Sequence, residues 1–121
     1  MNQEETNKTD IRVIYKSAEF EVFYAGLSAN VKKKFDYVFN VVQTVYNIPQ
    51  KFIKKLENTD FYEMRVSIGN NEYRSVLFAI DHENVIESTR IILLNAFVKK
   101  STKDYKREID KAENILNQLE L

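Results

Sequence analysis

Three observations predict an α+β fold: a short alternating stretch near the N-terminus, two consecutive stretches with apolar residues at helical spacing, and a block of strand-like runs closed by an amphipathic tail. Strands grouped after helices, rather than alternating with them, argue against a doubly wound sheet. At 121 residues and 44% hydrophobic, the chain has material for one modest core. Residues 1–9 are polar and without periodicity, which suggests a flexible arm ahead of a single domain over 10–121.

The first element is IRVIY, 11–15, where Ile11, Val13 and Tyr15 alternate with Arg12 and Ile14, as in a short strand with one face largely buried. Ser17 then suits a helix cap, and Phe20, Phe23, Tyr24 and Leu27 follow at i, i+3, i+4 and i+7, which predicts a helix over about 18–27. Ser28 caps the next helix, whose apolar stripe is Val31, Phe35, Val38, Val42 and Val45. Lys32, Lys33 and Lys34 fall between stripe positions and read as its solvated side. Pro49 is the expected stop, because it donates no hydrogen bond and disfavours helical geometry at Ile48.

The connector QKFIKKLENTD pins itself by Phe52, Ile53 and Leu56, and its lysines suit either a groove or a solvated loop. Two strands follow, 61–68 and 73–80, around GNNE, whose residues tolerate positive φ. In the first, Tyr62, Met64, Val66 and Ile68 share one face, and Glu63, Arg65 and Ser67 the other. In the second, Arg74 shares the parity of Val76, Phe78 and Ile80, and we expect its side chain to leave that apolar face for an open edge. The polar stretch 81–89 has room for a short β segment at Val85 and Ile86, while RIILLNAF, 90–97, reads as a central strand covered on both sides. Ser101 and Asp104 resemble a capping box, and Ile109, Ala112, Ile115, Leu116 and Leu119 mark one face of a final helix.

Composition excludes several chemistries. With no cysteine there is no disulfide framework and no thiolate metal site, which fits a reducing cytoplasm. The single histidine, His82, falls in a predicted turn, and no Walker loop, G-x-S-x-G or G-x-G-x-x-G occurs, so neither metal nor cofactor is expected. Nothing approaches the roughly 18 apolar residues of a membrane span, and no export signal opens the chain, so we read it as soluble and cytoplasmic. Eighteen basic and 18 acidic residues cancel, so any anion-binding site has to be local.

One local candidate stands out. Arg65 and Arg74 lie on the paired strands, Lys99 and Lys100 follow the last strand, and Lys103, Tyr105, Lys106 and Arg107 open the final helix. Guanidinium forks match phosphate oxygens, and cations around a scissile phosphate stabilise developing charge. The plainer reading is a set of surface charges paired with the equally numerous acids.

Taken in order, Tyr62-Glu63-Met64-Arg65, Tyr73-Arg74, Phe97-Val98-Lys99-Lys100 and the basic run from Lys103 to Ala112 resemble the RelE/ParE superfamily of bacterial toxins, in its phage-derived HigB-like branch. The lead-in IPQKFIKKLENTDFYE is similar too, and the likeness covers nearly everything from residue 11 onward. It implies a RelE-like fold: a short N-terminal strand, a helical hairpin, a three- to four-stranded antiparallel sheet and a C-terminal helix. It further implies a toxin of a type II toxin–antitoxin system, a metal-independent endoribonuclease that cuts mRNA on the ribosome. Its partner would be a cognate antitoxin, often with a helix-turn-helix domain. By the same resemblance, Arg65 and Arg74 hold the phosphate, Lys99 or Lys100 serves near the leaving oxygen, and Tyr105 stacks on or orients the nucleotide. Lys54, Lys55, Lys103, Lys106 and Arg107 are then candidates for holding RNA. Glu63 departs from the pattern, since many RelE-type ribonucleases place another cation there. Relatives that inhibit DNA gyrase, as ParE does, or that only bind a partner, keep two other functions open.

Overall fold

The computed structural model describes residues 10–121, so the arm expected at 1–9 lies outside the described residues. Strand β1 (Val13–Lys16) leads into helices α1 (Ala18–Ala25) and α2 (Ala29–Thr44). Strands β2 (Ile53–Lys55), β3 (Phe61–Ile68), β4 (Asn71–Ala79) and β5 (Arg90–Val98) follow, and helix α3 (Asp104–Gln118) ends the chain. The strands form one sheet in the order β1-β5-β4-β3-β2. β2 to β5 are antiparallel neighbours, and β1 lies parallel to β5. This is the expected α+β arrangement, with the long apolar strand β5 paired on both sides.

Both helix caps follow from their serines. Ser17 Oγ accepts from Phe20 N–H at 3.0 Å and donates to the Leu94 carbonyl of β5, so the cap also ties α1 to the sheet. Ser28 Oγ accepts from Val31 N–H at 3.4 Å. The hairpin α1–α2 covers one sheet face, where Phe20, Phe35, Val38, Phe39 and Val42 meet Met64, Val66, Leu77, Ile91 and Leu93. The opposite face is narrower, and α3 lies across Phe61, Val76, Ile92, Leu94 and Phe97 through Ala112, Ile109 and Leu116. Asn95 of β5 anchors that helix from below, its Nδ2 donating to the Glu108 carbonyl at 3.1 Å and to Glu108 Oε1 at 2.8 Å.

At the start of the chain's first strand, Arg12, just before β1, is buried and Ile14 partly so, whereas Ile11, Val13 and Tyr15 are exposed, Val13 by 51%. The cause is Arg12, which is 1% exposed and donates to five main-chain carbonyls. They are Val42, Val45 and Tyr46 at the end of α2, and Val85 and Ile86 in the loop before β5, at 2.6–3.2 Å. Those carbonyls include ones that a helix C-terminus leaves without intrahelical partners. Accordingly α2 ends at Thr44, five residues before Pro49. Burial pulls the Arg12 guanidinium below its ordinary pKa.

Three local expectations change. The connector after Pro49 contains a strand, β2, because Ile53 pairs with Met64 while Phe52 and Leu56 pack inward on either side. Segment 81–89 forms turns rather than a β segment, organised by the Asp81 carboxylate, which accepts from Ser88, Thr89 and the Arg90 N–H. The hairpin turn tightens to Gly69–Asn70, with Ile68 opposite Asn71 and Gly69 at φ +60°, the left-handed geometry glycine takes without penalty.

Candidate functional site

Register alone brings the two strand arginines together, since Arg65 of β3 sits directly opposite Arg74 of β4 on the α3 side of the sheet. Like charges in that relation repel. Two carboxylates relieve it: Glu63, two residues before Arg65 on the same face, and Glu72, two residues before Arg74. Glu63 Oε2 is 3.5 Å from Arg65 Nε and its Oε1 is 3.4 Å from Arg74 Nε, while Glu72 Oε1 is 3.2 Å from Arg74 Nη1. Ser67 Oγ donates to the same Glu72 oxygen at 2.6 Å, and that bond foremost lowers the Glu72 pKa.

Tyr105, in the first turn of α3, closes the cluster. Its hydroxyl donates to Glu63 Oε1 at 2.6 Å and accepts from Arg74 Nε at 3.2 Å. Its ring meets Phe97 edge-on at 5.6 Å, and Phe97 is the β5 neighbour of Arg74. Burial, and next the bond to Glu63, push the phenol above its usual pKa, so it stays a neutral donor.

Arg74 therefore does not leave its apolar face for an edge. It is 3% exposed, because α3 and Tyr105 cover it and its charge is satisfied in place. Arg65, whose side chain is 28% exposed, is the guanidinium that meets solvent.

The other sequence candidates divide. Lys99 Nζ lies 5.7 Å from the Tyr105 ring centre, so it joins the cluster's rim. Lys100 is exposed; its backbone N–H donates to Asp104 Oδ2 at 3.0 Å, a helix-start role. Lys54 is the β2 neighbour of Glu63 by register, whereas Lys55 pairs with Tyr62, its Nζ lying 5.8 Å from that ring. Both lysines line a separate cleft beside Tyr62, Asn84 and Ile86. Lys103 is exposed at the α3 cap position without a capping side-chain bond, and the expected capping box is half formed, through Asp104 alone. Lys106 and Arg107 face solvent and pair along their own helix, with Asp110 at 3.6 Å and Asp104 at 3.3 Å.

Glu63, which the sequence marks only as a departure from the family pattern and not as a site residue, stands at the hub of the cluster. Its signal was present in the shared parity with Arg65 and became decisive only once Tyr105 was placed above it. Among the described residues no group of acidic and histidine side chains could hold a metal ion. His82 stays in an exposed turn, where Nδ1 accepts from Asn84 N–H.

With a helical hairpin on one face of a five-stranded sheet and a C-terminal helix on the other, the fold is RelE-like. The E. coli toxin RelE, as a double arginine-to-alanine mutant in the free state, superposes with a TM-score of 0.59 at 14% identity, covering 84% of this chain and 97% of that one. The chain belongs to the family described as "Phage derived protein Gp49-like (DUF891)", whose model matches residues 22–117. No curated protein matches the sequence.

Proposed function

We propose that this protein is the toxin of a toxin–antitoxin pair and that it cleaves RNA without a metal ion, acting on ribosome-bound mRNA under the control of an antitoxin. The observation that carries the reading is the convergence of Arg65, Arg74 and Tyr105, from β3, β4 and α3, on the Glu63 carboxylate within hydrogen-bonding or ion-pair reach. A fold that needed only stability gains little from two guanidiniums directly opposite each other on paired strands.

In the proposed reaction the ribose 2′-oxygen attacks the adjacent phosphorus while its proton passes to the Glu63 carboxylate. The bond from phosphorus to the 5′-oxygen breaks, and that oxygen takes a proton from Lys99. The products are a 2′,3′-cyclic phosphate and a 5′-hydroxyl. Arg65 meets the phosphate first, Arg74 stabilises charge building on its oxygens, and Tyr105 holds Glu63 in position. An incoming phosphate replaces the carboxylate as the partner of Arg65, which frees Glu63 to accept the proton.

Induced expression of the wild type beside Arg65→Ala, with mapping of transcript ends, tests the reading. We expect growth arrest and cut mRNA from the wild type only. Arrest with intact transcripts would point to a gyrase poison. A second reading has its own support in the burial and full pairing of Arg74, which suit a clasp holding α3 to the sheet in a purely binding protein. Harmless expression of a folded wild type would favour it.

A further inference from the structure

β2 pairs with Tyr62–Met64 and the Arg65 N–H bonds the Phe52 carbonyl at 2.7 Å, so among the described residues the edge of β3 is open beyond Arg65, where a cleft separates it from α2. That cleft has a volume of about 630 Å³, within the range of about 300–1,000 Å³ that ligand sites occupy. Lys33 and Lys34 of α2, Lys51 of the connector and Arg65 of β3 line it together with Tyr37 and Phe52, and among the described residues no carboxylate does. In a chain whose charges cancel, four cations from three segments around one cavity make a localised positive field. Two residues of the lysine run, Lys33 and Lys34, thus border a cleft as well as solvent.

The aromatic pair gives the cleft a second property. Tyr37 is 54% exposed, with Phe52 edge-on at 6.0 Å and the Lys34 ammonium over one ring face, which leaves exposed ring surface for a stacking partner. Lys34 Nζ lies 5.6 Å from the centre of the Tyr37 ring, and Lys51 Nζ lies 5.1 Å from that of Phe52. Cations beside an exposed ring match a single-stranded nucleic acid, whose phosphates and bases alternate along the chain. Arg65 belongs to both places, lining the cleft while its Nε sits 3.5 Å from Glu63.

We propose that this cleft binds the nucleotides of single-stranded RNA that flank the cleaved linkage, with Lys33, Lys34 and Lys51 on phosphates and Tyr37 under a base. The proposal rests on the nuclease reading for its substrate, and its test separates the two. A fluorescent single-stranded RNA of about ten nucleotides, 2′-O-methylated throughout so that it cannot be cut, is titrated with the purified full chain. For the triple variant Lys33→Glu, Lys34→Glu, Lys51→Glu we expect affinity to fall by about tenfold or more. The slope of log affinity against log salt should shrink by about 2, the value for three phosphate contacts on a single strand. Tyr37→Ala, a change at an exposed ring, is expected to weaken binding by about fivefold or more without altering that slope.

Unchanged affinity in both variants overturns the proposal, and if these variants still cut transcripts the nuclease reading survives it. RNA held by the cleft of a wild type that cuts no transcript keeps the cleft and removes the nuclease. Loss of binding to an acidic antitoxin segment with RNA affinity intact would overturn the proposal and assign the cleft to a protein partner.

Discussion

Glu63 is the residue on which the candidate site turns, because two guanidiniums and one phenol all address its carboxylate. Replacing it by Gln keeps the shape and removes the charge. We expect Glu63→Gln to abolish transcript cleavage and to lower stability by about 2 kcal/mol, since Arg74 loses one of its two carboxylates while buried. Urea unfolding and transcript mapping check the two effects separately. Tyr105 makes a pH prediction. Its pKa is raised in the fold, so the folded state holds the proton more tightly; that contribution is complete below the ordinary tyrosine value near 10 and disappears as pH rises through the folded value. Tyr24, bonded to Asp36, is pushed up to about 12, and Tyr46, bonded to Glu87, is raised as well. In an alkaline absorbance titration, Tyr105→Phe should remove one tyrosine from this late-titrating set.

At the scale of elements, Arg12 does what a helix cap and a loop staple would otherwise do, and it does so from the position just before β1. Arg12→Leu leaves carbonyls of α2 and of the loop before β5 without donors in a buried site. We expect a loss of about 3 kcal/mol or more by urea unfolding, against less than about 0.5 kcal/mol for Val13→Thr on the exposed side of β1. The loop itself depends on Asp81, whose pKa is held well below the usual range by the Ser88 and Thr89 hydroxyls and the backbone beside them. A depressed carboxyl pKa stabilises the fold above the ordinary value near 3.9, and the contribution is lost as pH falls toward the folded value. Asp81→Asn should therefore unfold earlier than wild type at neutral pH, and the gap in urea midpoints should narrow as the solution is acidified below about pH 4.

For the molecule as a whole, two apolar layers of unequal size flank one sheet, and the larger lies under the α1–α2 hairpin. Phe20 is fully buried there between Tyr24, Phe35 and Phe39, so Phe20→Ala should cost about 3–5 kcal/mol, a large part of the stability of a domain this size. The smaller layer, under α3, doubles as the floor of the candidate site. That arrangement explains why charged residues are tolerated on it: α3 covers the sheet only as far as Tyr105, and beyond that ring Arg65 meets water. Lys106→Ala and Arg107→Ala, on the outer side of the same helix, should each shift stability by less than about 0.5 kcal/mol, as thermal unfolding would show, because exposed pairs contribute little.

The element order, both serine caps, the face of β3 and the central place of β5 were legible in the chain itself. Alternation and helical spacing are local properties, and the energy that enforces them is the burial of neighbours on one face. The exposed face of β1, the early end of α2 and the hub role of Glu63 were not legible. Each depends on which distant backbone or side chain arrives opposite. Five carbonyls from two remote segments draw Arg12 inward against its polarity, and the register of β3 on β4, closed by Tyr105 more than thirty residues away, turns scattered charges into a single cluster. Sequence by itself determined which residues could share a surface; only the tertiary structure decided which of them meet, because hydrogen bonds and ion pairs act over a few ångströms and that separation is set by packing.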